Sequence, residues 1–200
     1  MPTARNTWSR HLPVGSPPEA IMHSLPAARN LLALRLPEVD LLFGDLSNRY
    51  KASSGHSFGA HIAIGSNWPP PGAGAEENLQ FLASVCTFTA PFEIALARVG
   101  YFHSMVYLAP EPTGPISRLE TRVSKLFPPD RSEARPFAPQ VSIAKGLLPH
   151  QAAALGATLE QRIKQRGVLT TVCSELSLMA FEDGQWMTAE RFVLGYVSRH

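Results

Sequence analysis

A chain of 200 residues, 44% of them hydrophobic, is long enough to bury one sizeable core. A formal net charge of +2, with a sequence pI of about 8.7, excludes a polyanion binder that works through bulk charge and leaves room for a local basic groove. No apolar run approaches the roughly 18 residues of a membrane span, and Pro2, Pro13, Pro17 and Pro18 stand where a secretory signal would need an apolar stretch, so the expectation is a soluble, cytoplasmic protein.

In chain order, residues 1–30 show no sustained period and read as a loose N-terminal arm, with residues 31–200 forming a single two-lobed domain. Ala27 to Arg35 reads as a helical turn or two ended by Pro37, and Leu41 to Leu46 fits helix and strand equally. Ser53-Ser54-Gly55 is a loop that delivers a strand at His61, which Pro69-Pro70-Pro71-Gly72 closes. Glu76 and Glu77 followed by Leu79, Phe81 and Leu82 predict an amphipathic helix. Phe92, Ile94 and Leu96 alternate as a strand, and Met105 to Leu108 makes another, ended by Pro110 and Pro112. Gly114-Pro115 opens a helix with the stripe Ile116, Leu119, Val123 and Leu126. Another helix starts at Pro149, buries Ala152, Leu155, Leu159 and Ile163, and stops at Gly167; Lys164 and Arg166 suit its solvated end. Leu176, Leu178 and Ala180 alternate as a strand, and Arg191 to Leu194 closes the chain. Strands returning after helices over short links predict an α+β class of two similar sheet-and-helix lobes. Cys86 and Cys173 lack metal-ligand spacing and read as buried reduced thiols, with one disulfide the alternative.

Two short segments share one layout. Ala60-His61-Ile62-Ala63-Ile64-Gly65 and Pro139-Gln140-Val141-Ser142-Ile143-Ala144-Lys145-Gly146 each run small residue or proline, polar, aliphatic, small or hydroxyl, aliphatic, with glycine close behind. Period two puts His61 and Ala63 on one face of the first strand, and Gln140 and Ser142 on one face of the second. On a regular strand Lys145 takes the face opposite Gln140 and Ser142, and only a bulge would turn it.

With these residues the chain resembles the 2H phosphoesterase superfamily and, within it, the bacterial 2'-5' RNA ligase family, over about Phe58 to Gly195. That superfamily carries two His-x-Thr/Ser tetrapeptides facing a cleft between two lobes. Pro91-Phe92 through Tyr101-Phe102, Met105 through Pro112, and Trp186 through Gly195 are similar to family stretches in the same order. Two departures stand out: Ala63 takes a hydroxyl position, and Gln140 takes that of the second histidine. The segment before His61 also lacks the clean apolar strand that normally opens the first lobe.

The resemblance implies antiparallel sheets lining a central cleft with helices outside, and cleavage of a 2',3'-cyclic phosphate or a 2'-5' phosphodiester with no metal and no cofactor. One histidine takes a proton from the attacking water or hydroxyl, the other gives one to the leaving oxygen, and the hydroxyls hold phosphate. Glutamine makes hydrogen bonds but exchanges no proton. The catalytic candidates are therefore His61 as the remaining acid/base, Gln140 as an orienting group and Ser142 as a phosphate donor. His56 and His103 are the candidates to replace the missing histidine; His150 reads as a solvent residue. Tyr101, Phe102 and Trp186 are candidate substrate-binding rings, with core packing as the alternative. The expected ligand is a nucleotide or RNA terminus carrying a phosphate, bound by a monomer, with no DNA duplex and no membrane. Two functions stay open: a phosphodiesterase of reduced or altered activity, and a pseudoenzyme that binds a nucleotide, an RNA end or a protein partner.

Overall fold

The structure, a computed structural model, describes residues 30–50, 59–66, 75–126, 136–182 and 185–195. In chain order it contains β1 (Asn30–Arg35), α1 (Pro37–Arg49), β2 (His61–Ser66), α2 (Ala75–Thr87), β3 (Phe92–Phe102) and β4 (Met105–Glu111). α3 (Gly114–Leu126), β5 (Val141–Ala144), α4 (Pro149–Arg166), β6 (Leu169–Cys173), β7 (Glu175–Glu182) and β8 (Gln185–Val193) follow. The arm expected over residues 1–30 lies, apart from Asn30, outside the described residues, and so do His56 and the Pro69–Gly72 turn.

All eight strands join one antiparallel sheet in the order β6-β3-β4-β5-β2-β1-β7-β8. The two expected lobes are its halves, which meet at a seam where Ile62 of β2 pairs with Val141 of β5. Outward from the seam run β2, β1, β7, β8 on one side and β5, β4, β3, β6 on the other. The first half is completed by the C-terminal β7–β8 hairpin, so the halves are not consecutive in sequence. That is why no sequence repeat announces them.

Helices α2 and α3 pack on the first half, α1 and α4 on the second. Their apolar stripes meet the sheet face that Ile62 and Val141 share, and both of these residues are fully buried. Burying each is worth about 1.5–3 kcal/mol, so the seam is held by packing as well as by its ladder. A clasp joins the layers: Arg162 of α4 donates to both carboxylate oxygens of Asp45 in α1, at 2.6 and 2.5 Å, and to the Leu42 carbonyl at 3.0 Å. The guanidinium holds the Asp45 carboxyl down at about 2. Cys86 and Cys173 are free and buried, and burial pushes both thiols up to about 12.

Three sequence expectations need correction. Residues 30–35 form a strand, not a helical turn: β1 lies between β2 and β7, and Leu32, Ala33 and Leu34 are all buried, so the alternation that marks a half-exposed strand is absent. β1 is the apolar strand that the sequence reading found lacking before His61. Pro37 then starts α1 instead of ending a helix, and Leu41 to Leu46 is helical, with Phe43 and Leu46 buried. Finally, β4 runs through Pro110 to Glu111. Its β5 pairing ends at Leu108, so the missing amide of Pro110 faces no partner on that side.

Candidate functional site

His61 opens β2 and Ser142 lies in β5. Continuing the Ile62–Val141 register puts His61 across from Ser142, and Ala63 across from Gln140. All four share the half-exposed sheet face opposite Ile62 and Val141. His61 and Gln140 are thus diagonal cross-strand neighbours, a relation that separates backbones by about 7–8 Å.

The histidine is held from behind. Asp40 of α1 accepts the Ala60 N–H on both carboxylate oxygens, each at 2.9 Å. Gly59 sits at φ +96, where a β-carbon would lie 2.4 Å from Asp40 Oδ2. Only glycine fits both the backbone angle and the carboxylate. Gly59 O lies 2.8 Å from His61 Nδ1. A carbonyl only accepts, so Nδ1 carries the proton, and in the neutral ring Nε2 is the basic nitrogen. Burial lowers the pKa of His61, the Gly59 carbonyl raises it, and then Lys145 lowers, Asp40 raises and Arg35 lowers it. The net shift is downward, which keeps the ring a base at neutral pH.

In the second half two donors converge. Gln140 Nε2 and Ser142 Oγ both point at the Met105 Sδ, at 3.8 and 3.2 Å. A thioether is a weak acceptor, and an anionic oxygen at that point would be a far stronger one. Tyr107, the partner of Ser142 in β4, lies flat over Gly100, where a β-carbon would come within 2.3 Å of its ring.

Lys145 is turned to this face by a bulge. Val106 pairs with Ala144 and Tyr107 with Ser142, so Ile143 is the extra residue and the alternation shifts after it. Ala144 then shares the core side with buried Val106, and the following Lys145 takes the side of Ser142. The downward pull of Lys145 on the His61 pKa agrees with that placement. Arg35, the β1 partner of His61, adds a second cation.

The three candidate rings part company. Phe102 pairs with Met105 and shares its face, so it borders the donors at half exposure. Tyr101 goes to the helix side: its hydroxyl lies 1.8 Å from where a β-carbon on Gly156 of α4 would stand. Trp186 packs on Phe181, with ring centroids 5.4 Å apart, at the far end of the β7–β8 hairpin from the Glu175 level. Arg35, the cross-strand partner of His61, lies toward that Glu175 level. Neither ring stands at the four-residue cluster. His103 is in the β3–β4 turn at φ 49, edge-on to Phe102 at 4.3 Å. Met105, Tyr107 and Arg35 were missed from sequence, and only cross-strand register identifies them. Among the described residues no cluster of three or more His, Cys, Asp or Glu could hold a metal ion.

A family model described as the 2'-5' RNA ligase superfamily matches residues 49–185. No curated protein matches the chain. Among solved structures, E. coli LigT complexed with 3'-AMP is 14% identical, with 84% of this chain and 99% of that one covered and a TM-score of 0.56. The same protein complexed with NADP+ is 16% identical over 84% and 99%, also with a TM-score of 0.56. TT0787 of Thermus thermophilus is 16% identical over 84% and 98%, with a TM-score of 0.59.

Proposed function

The chain belongs to the 2'-5' RNA ligase superfamily, and from that premise we propose that it binds nucleotide or RNA ends carrying a 2',3'-cyclic or 2'-phosphate and hydrolyses a phosphodiester there with reduced or altered activity. The observation that carries this reading is the convergence of Gln140 Nε2 and Ser142 Oγ on the Met105 sulfur, on the sheet face that they share with His61 one strand away. In the reaction, His61 takes the proton of the attacking water, Ser142 and Gln140 hold a non-bridging phosphate oxygen, and Arg35 and Lys145 attract the anion. Phe102 is the ring best placed to stack on a base. The LigT structures with 3'-AMP and NADP+ support a nucleotide as the ligand class.

Glutamine in place of the second histidine removes one proton-transfer group, which lowers the rate by about 10²–10⁴-fold. The alternative reading is a pseudoenzyme that keeps the anion site and binds a nucleotide, an RNA end or a protein partner without chemistry; Ala63 and Gln140 favour it. A cytoplasmic monomer goes with either reading, and the free buried thiols suit a reducing compartment. No described helix is long and apolar enough to cross a membrane.

Incubation with a 2',3'-cyclic nucleotide beside a direct binding measurement separates the two. Turnover that disappears in His61→Ala supports the enzyme. Binding without turnover, weakened in Ser142→Ala, supports the pseudoenzyme. Neither binding nor turnover would sink both.

A further inference from the structure

Among the described residues, the cleft pairs a base, His61, with Gln140 and not with an acid. Gln140, diagonal to His61 across the seam, forms hydrogen bonds but gives up no proton. Lys145 does not fill that role. Ser142 lies opposite His61, and Lys145 follows it further from Gln140, so its backbone stands at the base's end of the cleft. In-line displacement puts the attacking and leaving oxygens on opposite sides of phosphorus. A proton donor beside the base therefore cannot reach the leaving oxygen.

We infer that this one-base site cleaves phosphodiesters and phosphoanhydrides whose leaving group departs as a stable anion, and acts poorly on ribose cyclic phosphates, whose leaving group is an alkoxide. The inference rests on the reading of the cleft as a phosphoester site. Water attacks phosphorus as its proton passes to His61 Nε2. The bond from phosphorus to the leaving oxygen breaks, and its electron pair goes to that oxygen. The products are a phosphomonoester and the leaving anion, and the imidazolium returns its proton to solvent.

A phosphate leaving group has a second pKa of about 6 and needs no proton at neutral pH. An alkoxide is a base closer to hydroxide, whose conjugate acid, water, has a pKa of about 15.7. The site therefore discriminates by leaving-group basicity. Gln140 Nε2 and Ser142 Oγ, which aim at a single point, stabilise the charge that builds on the phosphate oxygens in either case. They do nothing to neutralise an alkoxide. The substrate class that fits is a nucleotide anhydride, the pyrophosphate link of a dinucleotide or a nucleoside diphosphate derivative.

The test compares hydrolysis of adenosine 2',3'-cyclic phosphate, a nucleoside 5'-(p-nitrophenyl phosphate) and diadenosine pyrophosphate by the full chain, His61→Ala and Gln140→His, with direct binding of 3'-AMP alongside. The expected result is turnover of the nitrophenyl and pyrophosphate probes at least about 10²-fold faster than the cyclic phosphate. His61→Ala abolishes both fast activities. Gln140→His raises the cyclic-phosphate rate far more than the nitrophenyl rate. Similar rates on the cyclic and nitrophenyl probes overturn this inference and leave the phosphodiesterase reading standing. Binding of 3'-AMP with no turnover of any probe overturns it in favour of the pseudoenzyme, and neither binding nor turnover overturns both readings.

Discussion

The two halves of the sheet each bring one polar pair to the seam, and they support it very differently. Behind His61 stands a chain of dedicated contacts: Asp40 on the Ala60 amide, Gly59 at a positive φ, and the Gly59 carbonyl on Nδ1. Among the described residues, Gln140 and Ser142 meet a thioether. The first half fixes a tautomer and a ring orientation, which matters for proton transfer. The second fixes the aim of two donors, which matters for holding an anion. The contrast teaches that two polar pairs brought to one seam are not held alike: one is fixed by backbone and carboxylate contacts, the other by a single sulfur.

The largest effect is expected where the first half is most tightly built. Gly59→Ala places a β-carbon on Asp40 Oδ2 and forces alanine into a left-handed backbone angle. Strain at such a position costs of order 1–3 kcal/mol. Pushing the carboxylate off the Ala60 amide adds about 1–3 kcal/mol for a donor left unsatisfied. Thermal unfolding should report a clear drop in Tm, and any hydrolysis dependent on His61 should fall by more than about tenfold. Unchanged stability and rate would remove the contrast between the halves.

In the second half the expected effect is smaller and of opposite sign. Met105→Leu keeps the volume at a cost under about 1.5 kcal/mol and deletes the sulfur that Gln140 and Ser142 contact. Both donors then meet an incoming anion without first giving up a partner. A weak hydrogen bond nets about 0.5 kcal/mol and two are released, so 3'-AMP, measured by titration calorimetry, should bind roughly fivefold tighter. Weaker binding would mean that Met105 itself contacts the ligand.

Much of this architecture was legible in the sequence, because the helix stripes at Ile116-Leu119-Val123 and Leu155-Leu159 and the alternation at Phe92-Ile94-Leu96 are strong periodic signals. The sharing of a face by His61 and Ala63, and by Gln140 and Ser142, was legible for the same reason, because period two fixes it; that the two strands pair directly was not. What escaped depends on contacts that sequence does not order. β1 is buried on both faces and so loses its period, and β6, a strand at the sheet edge, carries only the brief β-branched run Thr170-Thr171-Val172. The face of Lys145 hinged on one extra residue, Ile143, that only cross-strand register reveals. Tyr101 and Phe102 are adjacent, so at most one of them could face the cleft; the packing of Tyr101 on Gly156 of α4 decides that it is Phe102.

The finest test of the contrast uses charge alone. Hydrolysis through His61 requires the neutral ring, so activity falls as pH drops through its folded-state pKa, which burial sets below the ordinary histidine value of about 6.5. The Gly59 carbonyl and Asp40 favour the imidazolium, whereas Lys145 and Arg35 oppose it. Lys145→Met therefore raises the His61 pKa, and the acidic limb of the rate profile moves to higher pH. Asp40→Asn keeps an oxygen for the Ala60 amide but removes the negative charge, so the limb moves to lower pH. Both shifts should shrink in added salt, because Lys145 is exposed and its field is screened beyond a Debye length of about 10 Å at 0.1 M. Opposite shifts from the two variants place Lys145 and Asp40 on either side of one proton equilibrium. Shifts in the same direction would instead mean that the variants disturb the cradle of Gly59 and Ala60, and that the bulge at Ile143 brings no charge to the histidine.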